Sequence, residues 1–240
     1  MAKDLVLDVL AVGAHADDIE ITSGGLLIKL AARGHATGAV DLTRGEMGTY
    51  GSAEDRAAEA EAAAEMMGLT WRGNLGLSDA AVEYNQANKL KLAQVIRNTR
   101  PRLVILPHWE QRHPDHLAGS RLGYDACFLA GLQKIDLTGD PHRPHKILYA
   151  SYFRDTSHSF LVDISDHMEQ KCRVVAAYES QFGRPETSGR IFHPGTNIFD
   201  LMKVRAAALG QMVGVDYAEA YSIKENMLVD DPLDLAVRSV

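Results

Sequence analysis

Apolar residues fall into short solid runs separated by longer stretches at helical spacing. Val9 to Gly13 (VLAVG) and Leu103 to Pro107 (LVILP) are uninterrupted apolar runs. Strands buried on both faces of a parallel sheet have this pattern. Residues 19–33 place Ile21, Leu26, Leu27, Leu30 and Ala31 at helical spacing, and Gly34 ends the segment. TGAVDLT at 37–43 reads as a second strand. Ser52 with Asp55 three residues on has the form of a capping box. It opens the helical AEDRAAEAEAAAEMM, which Gly68 closes. A third strand is expected over 70–75 and a helix over 86–99, closed at Arg100-Pro101. Pro114 suits the first position of a helix running to about Leu132.

Beyond Thr138 the pattern weakens. DPHRPHK reads as a loop, 146–153 and 159–164 as strands, 166–178 as a helix, 183–197 as a Gly/Pro-rich excursion or lid, and 198–212 as a last helix. Strands alternating with helices predict an α/β fold: a Rossmann-like, mainly parallel sheet with helices on both faces and a mixed C-terminal portion. No repeat or linker composition divides the chain, so one domain over 1–240 is expected.

Composition narrows the function classes. The 240 residues are 46% hydrophobic and 24% charged, an ordinary globular balance that argues against disorder, collagen and a disulfide scaffold. The formal charge of −7 repels phosphate backbones and argues against nucleic-acid binding. Cys127 and Cys172 form no CxxC and read as small buried hydrophobes. They suit a reducing, cytoplasmic setting. The first residues show no signal-peptide pattern, and no apolar stretch approaches the ~20 residues of a membrane span.

Chemistry concentrates in two turns. In a doubly wound sheet, ligands bind beyond the carboxyl ends of strands where the strand order reverses, here between the first and fourth strands. The first strand runs into Gly13-Ala14-His15-Ala16-Asp17-Asp18, and the fourth into His108-Trp109-Glu110-Gln111-Arg112-His113-Pro114-Asp115-His116. The first turn lacks a dinucleotide fingerprint, and its carboxylates would repel pyrophosphate. Imidazole and carboxylate together suit a cation such as zinc, which needs about three protein ligands and one open position. His15, Asp17, Asp18, His113, Asp115 and His116 exceed that need, leaving groups for proton transfer and for orienting a histidine. Either turn alone would read as helix capping, by Asp17 or Asp18 in the first and Asp115 in the second.

The paired motifs resemble those of the zinc-dependent N-acetylglucosaminyl deacetylases of the PIG-L/LmbE family. DVLAVGAHADD, VDLTRGEMGTYGS, AEAAAEMMGLTWRGNLGLSDA, RHPDHLAGSRL, AYESQF and GVDYAEAYSIKENMLVDDPLDL look most like the bacillithiol-biosynthesis branch, which deacetylates N-acetylglucosaminyl malate. The resemblance implies one Zn2+ per subunit held by His15, Asp18 and His116. It implies Asp17 as general base, His113 facing the reacting carbonyl, and Asp115 orienting His113. Arg56 and Asp79 match substrate-contacting positions. Their plainer readings are a surface pair of Arg56 with Glu59 and a turn cap for Asp79. The partner would be a small sugar conjugate, and relatives often assemble as trimers or hexamers. The chain departs from the pattern at Ala16, where proline is usual, and at Gln111, where the mycothiol branch has an oxyanion-binding tyrosine.

Other residues stay open. Arg44, Arg56 and Arg112 are candidates to meet an anionic aglycone. His108, His142, His145 and His158 read as loop or core histidines, and His193 as the best substrate-side candidate among the remainder. Trp109 reads as a sugar-packing ring or an apolar rim residue. A metal-dependent phosphoester hydrolase and a non-enzymatic binding module are the competing classes.

Overall fold

The computed structural model describes residues 5–152, 156–183 and 197–237. Seven strands form one sheet: β1 (Val9–Gly13), β2 (Thr37–Thr43), β3 (Trp71–Leu77), β4 (Leu103–Pro107), β5 (Lys146–Ala150), β6 (Phe160–Asp163) and β7 (Ala218–Ser222), in the order β3-β2-β1-β4-β5-β7-β6. The first five strands pair in parallel, and β7 runs antiparallel to its neighbours β5 and β6. The helices are α1 (Asp18–Ala32), α2 (Ala53–Met67), α3 (Gln86–Thr99), α4 (Pro114–Ala130), α5 (Met168–Ala176), α6 (Glu179–Phe182) and α7 (Ile198–Val213). None is long and apolar enough to cross a membrane.

The apolar runs behave as strands covered on both sides. Val9 and Ala11 of β1 face one core with α1, α2, α5 and α7, while Leu10 and Val12 face the other with α3 and α4. Leu10 and Leu106 are fully buried, each contributing roughly 1.5–3 kcal/mol. Local signals act where the sequence put them. Ser52 and Asp55 make a reciprocal capping box, and Gly68 ends α2 in the left-handed region at φ 71°. Pro114 opens α4. At Gly123 a Cβ would overlap Leu106, so the missing side chain lets α4 lie close on β4.

The C-terminal portion differs from expectation. The sequence reading contains no strand at 218–222, yet β7 inserts between β5 and β6. Its AEAYS sequence has weak strand propensity, and only long-range pairing makes it a strand. The helix expected over 166–178 is a 3-10 turn (Ser165–His167) followed by α5, and it stops at Ala176 before α6 begins. The expected lid lies, but for its end residues, outside the described residues, as does His193.

Candidate active site

The sheet order makes β1 and β4 neighbours, with Val9 opposite Leu103 in parallel register. The chain leaves β1 toward β2 and returns past it to β4, so a crevice opens at the carboxyl ends of the two strands. The turn after β1 carries His15, Asp17 and Asp18, and the turn after β4 carries His113, Asp115 and His116. The sheet brings all six together from about a hundred positions apart.

Three atoms able to bind a metal converge. His15 Nδ1 lies 3.3 Å from Asp18 Oδ2, and His116 Nε2 lies 3.0 Å from the same oxygen. Atoms bound at about 2.0–2.1 Å around a tetrahedral ion sit roughly 3.3 Å apart, so the spacing fits a divalent ion, and the N, N, O donor set suits a transition metal. The three atoms lie within 4.8 Å of one another. His15, His113 and Asp115 also meet that criterion. Both Asp115 oxygens, however, accept backbone amides: Ala80 N donates to Oδ2 at 2.8 Å and Val82 N to Oδ1 at 3.1 Å. Among the described residues Asp18 accepts one backbone amide, that of His15, on one oxygen, whereas both Asp115 oxygens are taken, so the first trio fits better.

The surrounding groups fix these side chains. His15 turns Nε2 toward Asp79 Oδ1 at 3.1 Å and Asp115 Oδ2 at 3.4 Å, which leaves Nδ1 for a metal. Burial disfavours the His15 cation, but hydrogen bonds to Asp115, Asp18 and Asp79 outweigh it and push the pKa up to about 12. Burial also works against the Asp18 carboxylate. The charge of His116 and the hydrogen bonds to His116 and His15 nevertheless hold it well below the usual range. The His15 amide donates to Asp18 Oδ2 at 2.9 Å, tying this carboxylate to its own turn.

Asp17 stands beside the trio without belonging to it. Burial pushes its carboxyl up to about 7, against the pull of the Arg56 guanidinium. Its backbone is left-handed at φ 110° and ψ −27°, a region costing a non-glycine residue about 1–3 kcal/mol. Asp17 occupies the N-cap position of α1 but makes no side-chain cap hydrogen bond; its Oδ2 lies 3.3 Å from Arg56 Nη2 instead.

Several expected contacts take another form. The Asp115 carboxylate faces His15 and the β3–α3 loop; what reaches His113 is the Asp115 backbone N–H, donating to Nδ1 at 3.2 Å. The residues share the first turn of α4, where an N-cap side chain naturally accepts from an amide two positions on. With Nδ1 accepting, the neutral ring carries its proton on Nε2. Burial and the charges of His15 and His116 lower the His113 pKa and favour that neutral form. Asp79 is 7% exposed at its side chain, and its Oδ2 accepts the Met47 amide at 2.8 Å. Arg56 is 4% exposed, whereas Arg44 and Arg112 stand in solvent. Glu59, the expected surface partner of Arg56, accepts instead from Ser180 N and Oγ. Trp109 stacks on His108 at 4.0 Å and has Lys224 Nζ 4.9 Å from its ring, so the ring is already packed. His108 accepts the Glu110 amide on Nδ1, and His142 Nε2 lies 2.7 Å from the Pro101 carbonyl oxygen, both structural roles.

Tyr152, which the sequence reading did not single out, sets its ring edge-on to His116 at 5.5 Å. Burial and the charges of Asp17 and Asp18 push its phenol well above its ordinary pKa, keeping it a neutral hydroxyl. The usable signal was position: it follows β5, the parallel strand beside β4. The second omission is Tyr178 of AYESQF, whose hydroxyl donates to Glu20 Oε1 at 3.0 Å beneath the site.

Comparison with known proteins bears on the family and the fold. Residues 10–127 match the family described as PIG-L: GlcNAc-PI de-N-acetylase. A diacetylchitobiose deacetylase of Thermococcus kodakarensis is 33% identical over 227 residues, covering 89% of this chain and 82% of that protein. The conserved protein TT1542 from Thermus thermophilus superposes with a TM-score of 0.86 at 40% identity, over 96% of this chain and all of that one. An N,N'-diacetylchitobiose deacetylase from Pyrococcus horikoshii superposes at 0.78 with 25% identity, over 90% of this chain and 82% of that one. The chain thus belongs to the PIG-L family of de-N-acetylases and is a deacetylase, a hydrolase of amide bonds.

Proposed function

We propose that the protein hydrolyses the acetamide of an N-acetylglucosamine conjugate with the help of a zinc ion held by His15, Asp18 and His116. The observation that carries this reading is the convergence of three ligand atoms beside a fourth group, the Asp17 carboxylate, that is not one of them. When bound, such an ion supplies Lewis acidity toward the acyl oxygen and lowers the pKa of water. Asp17 takes the proton of the attacking water and then gives it to the leaving amine. A carboxyl that titrates in the neutral range can do both. His113 donates from Nε2 to the developing oxyanion, because its Nδ1 already accepts the Asp115 amide. Asp115 and Asp79 orient His15. The products are acetate and a free glucosamine amine.

For the aglycone, the bacillithiol-type stretches favour L-malate, making the substrate N-acetyl-α-D-glucosaminyl L-malate. The exposed Arg44 and Arg112, in the loops after β2 and β4, are the cations to meet it. The second reading is an N-acetylated chitobiose, favoured by the 33% identity to the Thermococcus enzyme. Acetate release from both compounds, with elemental analysis of the purified protein, tests the proposal. Turnover with about one zinc per chain supports it, and the preferred compound decides the aglycone. Phosphate release from phosphosugars without any acetate would overturn it. Asp17→Asn is expected to lower turnover by roughly 10²–10⁴ while the metal stays bound. Loss of metal in that variant would show that base and ligand had been confused.

A further inference from the structure

Arg56 lies inside the protein, under the turn that carries the ligands. Its guanidinium packs beside two pieces of main architecture. The Gly45 backbone, at φ 69°, lies beside it, where a Cβ would meet Cζ at 3.5 Å, an ordinary van der Waals contact. On another side the Tyr178 ring centroid lies 5.8 Å from Cζ. Tyr178 is itself held by Glu20, and Glu20 also receives a hydrogen bond from Arg72. The arginine comes from the first turns of α2, which the Ser52 capping box fixes in place.

The guanidinium makes two contacts to one turn. Nη2 donates to the Ala16 carbonyl oxygen and lies 3.3 Å from Asp17 Oδ2. Those two acceptors flank the strained Asp17 backbone. One buried cation thus grips the peptide before the strained residue and the side chain of that residue. A turn with a non-glycine residue in this region persists only when its surroundings over-determine it.

We propose that Arg56 is a positioning residue: it clamps the left-handed Ala16-Asp17 turn, aims the Asp17 carboxylate at the reacting centre, and makes no contact with the aglycone. The inference rests on the deacetylase reading given above, but it differs from a substrate-binding role in what it requires. A clamp on the base affects every acetamide equally. An aglycone contact affects only the substrate whose aglycone it meets.

Arg56→Met is therefore assayed on N-acetylglucosamine, N,N'-diacetylchitobiose and N-acetylglucosaminyl malate. The expected result is a fall in kcat of roughly 100-fold, by the same factor for all three, since a misplaced base acts on the chemical step. KM is expected to stay within about twofold and the metal content to be unchanged. Arg56→Lys, the variant that keeps the charge, is expected to fall between wild type and Arg56→Met, because an ammonium restores the cation but not the planar group that packs beside Tyr178 and Gly45. A rise in KM confined to the malate compound with kcat retained, or full activity on all three, overturns the proposal. A crystal structure of Arg56→Met gives a reading independent of turnover. Asp17 released from φ 110° to a negative φ supports the clamp, and Asp17 unchanged overturns it. If the wild type releases acetate from none of the compounds, the functional reading falls, and the backbone result still decides this inference.

Discussion

Helix α1 touches two clusters of buried charge, and they are built on opposite plans. Halfway along the helix, Glu219 of β7 accepts from Gly25 N at 2.8 Å, Leu26 N at 2.9 Å, Lys171 Nζ at 2.6 Å and the Tyr221 hydroxyl at 2.8 Å. One negative charge meets one positive charge, and every oxygen has partners. Gly25 makes this possible, since a Cβ there would sit 2.9 Å from the carboxylate. At the N-terminus of the same helix, Asp17, Asp18, Asp79 and Asp115 crowd around three imidazoles and one buried guanidinium. There the backbone is strained at Asp17, and Arg56 Nε is buried without an acceptor among the described residues. The satisfied cluster pins α1 to the antiparallel strand. The crowded cluster has donor atoms in excess of what the fold needs, and that excess suits a metal and a travelling proton.

If this contrast is right, substitutions in the two clusters separate activity from stability. The largest loss of activity is expected for His116→Ala. Removing one of three ligands should abolish bound metal and turnover together while the fold persists. Full zinc occupancy by elemental analysis would defeat the ligand assignment. Asp115→Asn comes next. It keeps the acceptor for one loop amide but loses the charge that orients His15, so metal affinity is expected to fall about 10–100-fold. Competition with a metal indicator reads this directly, and unchanged affinity would remove Asp115 from the metal's surroundings. The smallest effect on turnover is expected for Glu219→Gln. It leaves Lys171 buried without its counter-charge, a loss of about 3–5 kcal/mol in denaturant unfolding. The kcat per folded molecule should stay within about twofold. A large fall in kcat with stability intact would erase the distinction between the clusters.

What was legible followed from how local each interaction is. Residues 53–67 announced themselves because Ser52, Asp55 and Gly68 act within a turn of the helix ends they fix. The crevice was legible for a different reason. Solid apolar runs at Val9–Gly13 and Leu103–Pro107 imply a parallel sheet, and a parallel sheet implies a reversal point where two polar turns meet. The direction of individual side chains was not legible. Asp115 and His113 share one helical turn, which suggests a pair. Across the crevice, however, the Ala80 and Val82 amides and the His15 ring compete for the same carboxylate and win it.

By itself, the sequence determined the alternation of strand and helix, the caps, and which six ionisable groups would meet. Those depend on residues near in the chain or on a topological rule that any doubly wound sheet obeys. Only the tertiary structure decided that β7 enters the sheet backwards, that Arg56 and Asp79 point inward, and that Asp17 is bent into the left-handed region. These outcomes were decided by contacts between residues far apart in the chain, where burial, hydrogen bonding and charge must be satisfied at once and local propensity is too weak to choose.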